Sequence, residues 1–392
     1  MFFLFQFAKL HKNIQFVRFF YNNCEFCVKI FSIQAKIRVI FVNLHRMNET
    51  KTTIRFIVNP ISGTHGKENF PTLVSEIMDS ERFDWQTVFT EYAGHATQLA
   101  KTFAEQGIDI CVAVGGDGTI NEVARSLVHT QTALGIVPCG SGNGLARHLC
   151  LPMDMKGALQ IINKARIEAF DYGIVNEQPF FCTCGMGFDA FISLKFAEAG
   201  KRGPITSVEN VLKEGLKYKP QTYCVEDESG THNYKAFLIA CANAAQYGNN
   251  AYIAPGASMK DGLMDVIIME PFDVLDAPAI AIDMFSKTLT QNSKIKTFKA
   301  KRIHVHRSEA GAIHYDGDPI MTNADVDVEM QPLGIRIIVN PDAIEDDAQP
   351  NALLNVFSDL FNNINNVRED IVRNGRRIHV LNKLMLRKLS RL

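Results

Sequence analysis

No run of about 18 apolar residues occurs in the chain, which excludes a bilayer-spanning helix. No G-x-x-x-x-G-K-[ST] segment is present, which excludes an ordinary P-loop kinase. No H-E-x-x-H and no arguable Ser-His-Asp arrangement point to a protease or esterase. Paired metal-binding cysteines are also missing. Cys24-x-x-Cys27 has no second pair, so it does not read as a zinc site. The nine cysteines are odd in number, and Cys111, Cys182, Cys184 and Cys241 lie in apolar, strand-like runs. That usage fits reduced thiols and a cytoplasmic location. There is no internal repeat and no low-complexity segment.

Charge is nearly balanced over the 392 residues, at −1, but unevenly placed. Residues 1–46 carry seven Lys/Arg and one Glu, and residues 350–392 carry eight Lys/Arg and three acids. The body between them is acidic. Basic ends on an acidic body suit a peripheral anionic membrane surface and argue against nucleic acid. Residues 1–46 hold ten of the 27 Phe, show no clear period and have no small-residue cleavage site after an apolar core. Met47 opens directly onto an apolar run at 53–58. The expectation is that Met47 is the start and 1–46 an upstream extension, which intact mass of the natural protein decides.

From residue 53 strands and helices alternate. Strands are expected at 54–58, 85–90, 110–114 and 134–137, and helices at 68–79, 95–106, 119–129 and 156–166. Short connections between alternating elements predict a parallel sheet covered by helices, over 47–170. Beyond Asp171 the runs become short and β-rich, at 179–184, 221–227, 234–242, 264–269, 302–306, 312–315, 325–330 and 335–339. Helical insertions fit 189–217 and 273–288. This predicts a mostly antiparallel β-sandwich over 171–345. Residues 346–392 read as a basic helical tail.

Three polar loops follow three of the expected parallel strands. Gly115-Gly116-Asp117-Gly118-Thr119 sits between a buried strand and a helix. Glycine lets backbone amides approach a ligand, and the helix N-terminus favours phosphate. Asp117 cannot hold phosphate itself, but it can hold Mg²⁺ or orient a hydroxyl. A tight turn with a solvated acid is the alternative. Gly140-Ser141-Gly142-Asn143-Gly144 follows the next strand and does not match G-x-G-x-x-G. It is either a second phosphate cradle or a helix–strand packing turn. In Asn59-Pro60-Ile61-Ser62-Gly63, Asn59 and Ser62 can hydrogen-bond phosphate or ribose. Ligands bind at this carboxyl edge of a parallel sheet. Far along the chain, Asp316-Gly317-Asp318 pairs two acids on one face, unless the glycine turns the chain. A hairpin turn is the alternative there. Lys260-Asp261-Gly262 has the same ambiguity, and His304-x-His306 reads as structural.

Together, these motifs resemble the diacylglycerol kinase catalytic-domain family, which includes bacterial soluble lipid kinases and the sphingosine and ceramide kinases. The resemblance runs from about 53 to 340. It rests on Asn59-Pro60-x-Ser62-Gly63, Thr90 with Gly94-His95-Ala96, Gly115 to Val123, Gly140 to Ala146, Gly187-Phe188-Asp189, Ala254-Pro255 with Asp261-Gly262, and Asp316-Gly317-Asp318. It implies an α/β protein with a Rossmann-like ATP domain and a mostly antiparallel β-sandwich lipid domain, separated by a cleft. It implies ATP against Asn59, Ser62, Gly63, Thr90, Gly115, Gly116, Gly118, Thr119, Glu122, Gly140, Ser141, Gly142 and Asn143. Asp117 is then tied to metal and phosphate, and Asp316 is the general base, with Asp318 where a Glu is more usual. Asp261 is then a ligand of a structural Mg²⁺, together with backbone carbonyls near Ser258 and Leu263. Ser258 departs from the Asp found there in one branch.

The activity implied is γ-phosphoryl transfer from ATP, with Mg²⁺, to a membrane lipid hydroxyl, first of all diacylglycerol. The alternative is a sphingoid base. Gly144 replaces an Asp found in many bacterial members, and Asp189 could face a sphingoid ammonium. A nicotinamide-nucleotide kinase also uses Gly-Gly-Asp-Gly, and a catalytically dead sensor is the rival from another class. Seven Lys/Arg and no acid in 373–392, with Ile378, Leu381, Met385 and Leu389 at helical spacing, suggest either an interfacial helix or a helix packed on the first domain with a solvated basic face. A second copy of the chain, as a homodimer, completes the expected partners.

Overall fold

The structure is a computed structural model that describes residues 51–63, 67–199, 218–273 and 276–343. The expectations for 1–46, for Cys24-x-x-Cys27, for the second half of the 189–217 insertion and for the tail lie outside these residues.

Four parallel strands run in the order β2 (Phe83–Phe89), β1 (Thr52–Val58), β3 (Ile110–Gly115), β4 (Ala133–Pro138). Every residue of β3 and β4 is buried, as expected of central parallel strands covered on both faces. The covering helices are α1 (Phe70–Ile77), α2 (His95–Glu105), α3 (Asp117–Leu127), α4 (Gly144–His148) and α5 (Met155–Lys164). In α3, Ile120, Val123, Ala124 and Leu127 are buried, a stripe at helical spacing. Asp154 starts α5 by accepting the Gly157 amide at 2.8 Å.

The sheet does not end at β4. Strand β16 (Asp325–Ile338) lies beside it and pairs along its length with β5 (Ile167–Val175). Beyond β16 the same sheet continues through β13 (Arg302–Arg307), β8 (Gln221–Asp227) and β9 (Gly230–Ala236), with β6 (Gln178–Phe180) on β5. Two separate strands were expected at 325–330 and 335–339. The structure instead has one strand with a bulge between Gln331 and Ile335. The buried Asp171 carboxylate holds that bulge by accepting the Leu333 amide at 2.7 Å.

A second, wholly antiparallel sheet faces the distal part of the first. Its order is β12 (Ile295–Ala300), β11 (Met264–Met269), β10 (Leu238–Ala242), β7 (Thr183–Gly187), β14 (Gly311–Tyr315), β15 (Asp318–Thr322). Side chains alternate as strand geometry requires. Met264, Val266 and Ile268 fill the sandwich, while Ile267 and Met269 join Phe188, Ile192 and Ile280 on the opposite face. That face is covered by α6 (Phe188–Ala199) and α7 (Ala277–Phe285). The run expected as one strand at 234–242 changes sheets at Phe237, whose amide donates to Met269 O at 2.7 Å. The parallel-sheet first half and antiparallel second half are as the sequence predicts. No helix among the described residues is long and apolar enough to cross a membrane.

Candidate active site

The three polar loops meet at the carboxyl edge of the parallel strands, and their glycines explain how closely. Gly116 and Gly140 face each other: a Cβ on Gly140 would stand 2.7 Å from Gly116 Cα. Gly63 has φ +77°, and a Cβ there would lie 2.0 Å from Cys139 O. The first loop is fixed from below. Asn59 donates from Nδ2 to Thr119 Oγ1 at 3.0 Å, and Ile61 N–H donates to Asn59 Oδ1 at 3.1 Å. The buried Lys67 ammonium donates to Asn59 O at 2.6 Å and also to Ser62 O and Oγ. Burial holds its pKa below the usual lysine value. Thr90, at the end of β2, donates its amide to Val58 O at 2.8 Å, and the Gly94 amide donates to Glu122 Oε1 at 3.2 Å. Loop and helix are thus joined on that side.

Asp117 opens α3 but does not cap it. No side chain caps this helix, so its first-turn amides stay available to an anion. The carboxylate turns sideways instead. Asn143 N–H donates to Oδ2 and Gly144 N–H to Oδ1, both at 2.8 Å. Asp117 therefore braces the third loop at the start of α4. That loop is further closed by Asn143, whose Oδ1 accepts the Gly140 amide at 3.1 Å and whose Nδ2 donates to Gly140 O at 2.7 Å. The sandwich touches the same loop, since Asn249 N–H donates to Gly142 O at 3.3 Å and Ala245 N–H to His148 Nδ1 at 3.2 Å. Burial pushes His148 down to about 4, so its imidazole is a neutral acceptor.

Across from the loops, Asp316-Gly317 is the two-residue turn between β14 and β15, with φ 53° at Asp316 and 85° at Gly317. The glycine does turn the chain, so the two acids do not share a face. Asp316 enters a nest of amides: Phe181 N–H donates to Oδ2 at 2.8 Å, and Cys182 and Thr183 N–H donate to Oδ1 at 2.7 and 3.1 Å. Burial raises its pKa, against the pull of the Phe181 amide, the Arg125 charge and the other amides. Asp318 goes elsewhere, pairing with Arg125 Nη1 at 3.1 Å.

The two acids nevertheless share a neighbourhood. Burial pushes the Cys182 thiol up, and the carboxylates of Asp316 and Asp117 both add to that push. Helix α3 supplies the link. Asp117, Asn121 and Arg125 recur every four residues on one side of it. Asn121 donates from Nδ2 to Asp316 O at 3.4 Å. Arg125 donates to Pro179 O and Tyr315 O at 3.3 and 3.4 Å and lies 4.4 Å from the Tyr315 ring centre. The sequence reading missed Lys67, Asn121 and Arg125, although the i, i+4, i+8 polar stripe was visible.

Asp189, at the start of α6, is nearly buried and already engaged. His314 Nε2 lies 3.0 Å from its Oδ2, and Tyr247 donates to the same oxygen at 3.3 Å. Burial, with the Asp189 charge, keeps the Tyr247 phenol protonated. Asp261 stands apart from the loops, in the turn before β11. Its Oδ2 accepts from Lys299 Nζ at 2.7 Å and its Oδ1 from Leu263 N–H at 3.1 Å.

Known proteins resemble this chain in sequence and fold. Residues 53–175 match the diacylglycerol kinase catalytic domain, and residues 183–339 match the YegS C-terminal NAD kinase beta sandwich-like domain. A diacylglycerol kinase of Bacillus subtilis is 28% identical over 274 residues, 67% of this chain and 89% of that protein. A protein of Chromohalobacter salexigens named "Probable lipid kinase YegS-like" is 29% identical over 233 residues, 58% of this chain and 75% of that one. A crystal structure of a diacylglycerol kinase from Bacillus anthracis shares the fold, with a TM-score of 0.60 at 22% identity, covering 76% of this chain and all (100%) of the other. The two matches follow one another along the chain, so it carries a diacylglycerol kinase catalytic domain followed by a YegS-type C-terminal domain and is a lipid kinase.

Proposed function

We infer that the chain transfers the γ-phosphoryl group of ATP to the free hydroxyl of diacylglycerol, yielding phosphatidic acid and ADP. The observation that carries the choice of lipid is Asp189. Its carboxylate is occupied by His314 and Tyr247, so no unpaired acid waits there for a sphingoid ammonium. A neutral hydroxyl lipid fits such a site better.

Asn59, Ser62 and Gly63, then Gly115, Gly116, Gly118 and Thr119, then Gly140, Ser141, Gly142 and Asn143 line the ATP phosphates in this reading. Thr90 and Glu122 close the nucleotide side. The uncapped start of α3 suits an anion. Among the described residues no three His, Cys, Asp or Glu side chains form a metal cage. That fits Mg²⁺, which keeps waters and phosphate oxygens and needs few carboxylates. Asp117, with two lone-pair sites left beyond its two amide bonds, would hold it. When bound, the ion neutralises phosphate charge as transfer proceeds. Asp316 accepts the proton of the lipid hydroxyl as its oxygen bonds to phosphorus and ADP leaves. A carboxylate raised by burial is a stronger base than an ordinary one.

A sphingoid base is the second reading, favoured by Gly144. The deciding experiment incubates the purified full chain with labelled ATP and a panel of diacylglycerol, sphinganine, ceramide and NAD. Label in diacylglycerol is the expected result, and label in sphinganine alone replaces the reading. The basic segment 373–392 would bring the enzyme to anionic membranes, so deleting it should release the protein from phosphatidylglycerol liposomes.

A further inference from the structure

We propose that the Lys299 ammonium is the built-in cation of the Asp261 turn, taking the place of a divalent ion there. The turn is a natural cation position, with carboxylates on Asp261 and Asp265 and a hydroxyl on Ser258. Both carboxylates, however, are arranged around the lysine. Lys299 Nζ lies 2.7 Å from Asp261 Oδ2 and 3.4 Å from Asp265 Oδ2. Lys299 and Asp265 are direct partners in the β11–β12 register, so the lysine is delivered by the sheet itself. Asp265 Oδ2 is buried and has no hydrogen-bond partner, leaving the ammonium as its charge compensation. Asp261 Oδ1 is taken by the Leu263 amide, and Ser258 Oγ accepts from Lys260 N–H at 3.3 Å.

A hard divalent ion does not fit this set. Mg²⁺ requires near-octahedral oxygens at about 2.0–2.1 Å, and Ser258 offers a neutral hydroxyl. The ion and the ammonium would also compete for the same Asp261 oxygen. Lys260 is not a substitute cation, since it pairs with Glu168 and lies over the Phe170 ring.

The turn matters because of what it holds. Gly262 N–H donates to Asp171 Oδ2 at 2.7 Å, and Asp171 N–H donates to Met259 O at 2.8 Å. The same Asp171 carboxylate holds the bulge in β16. A covalently attached cation makes this latch permanent and independent of free divalent ions. The proposal concerns only this turn and does not rest on the choice of lipid or on the ion that accompanies ATP.

Thermal melts of the full chain without nucleotide, in EDTA and in millimolar Mg²⁺ or Ca²⁺, test it. The native protein should melt at the same temperature in all three. Lys299→Met should melt lower by at least about 3 °C in EDTA, and Mg²⁺ or Ca²⁺ should recover part of the loss through the freed carboxylates. Lys299→Arg, which keeps the charge, should melt near the native value with no ion response, and it remains informative if Lys299→Met fails to fold. A native protein that melts lower in EDTA, with the difference abolished by Asp261→Asn, overturns the proposal. So does a Lys299→Met protein as stable as the native one.

Discussion

Asp117 and Asp316, on a helix and in a hairpin turn, are held by the same chemistry. Each carboxylate accepts backbone amides from a segment distant in sequence. Asp117 stands on a regular helix and receives two amides that belong to the loop it braces. Asp316 stands in a left-handed turn position, receives three amides from the start of a neighbouring strand, and is raised by burial. The first acid shapes a loop and keeps spare lone pairs. In the proposed mechanism the second takes a proton. Similar hydrogen bonding would then serve two roles, and the difference comes from burial and from the element that carries each side chain.

The sharpest way to break this comparison is Asp316→Asn. Asn tolerates the left-handed turn but sets a donor against at least one amide of the nest, so melting should fall somewhat, while kcat should fall by roughly 10²–10⁴-fold. A variant with native turnover would remove Asp316 as base. Next in size is Asp117→Asn, which replaces one acceptor oxygen by a donor facing an amide. A hydrogen bond to a charged group contributes about 1.5–3 kcal/mol, so ATP affinity should fall by roughly tenfold or more, read by nucleotide titration. If Asp117→Asn left phosphorylation intact, the brace would have no bearing on function.

The third test concerns the loop side alone. Folded His148 titrates near 4, below the ordinary 6.5, so the unfolded chain binds the extra proton first. Stability is therefore full above pH 6.5 and is lost as pH falls toward 4, by on the order of a few kcal/mol. Melts across this range should show the loss, and His148→Gln should flatten it. The smallest effect is expected on the hairpin side. Activity should decline as pH falls through the Asp316 pKa, which lies above 3.8. Arg125 charge lowers that pKa, so Arg125→Met should move the acid limb of the pH–rate profile upward, with Arg125→Lys restoring part of the shift.

Much of the loop side was legible in the sequence because its chemistry is local. A buried strand, a glycine turn and an amphipathic helix lie next to one another in the chain, and the three loops fall at one sheet edge by topology. The hairpin side was harder. Asp316-Gly317 could be read as a turn or as an acid pair, and it proves to be a turn whose first residue enters an amide nest 133–135 positions away. The engagement of Asp318 by Arg125 and of Asp261 by Lys299 depends on strand register and helix placement across long sequence separations. No local spacing encodes those pairings. The single strand at 325–338 was hidden for a similar reason, since the carboxylate that stabilises its bulge comes from Asp171.

Strand β16 has a practical consequence for anyone dividing this protein. The two family matches meet between residues 175 and 183, which invites a cut there. A fragment ending at that point would lack β16, the neighbour that covers β4 and pairs along β5. Its sheet would finish at Ala133–Pro138, a wholly buried apolar strand now offered to solvent as an open edge. Such a fragment should self-associate on expression. A piece that keeps this edge covered must therefore run from β1 through β16, so the parallel sheet is contiguous in space but not in the chain.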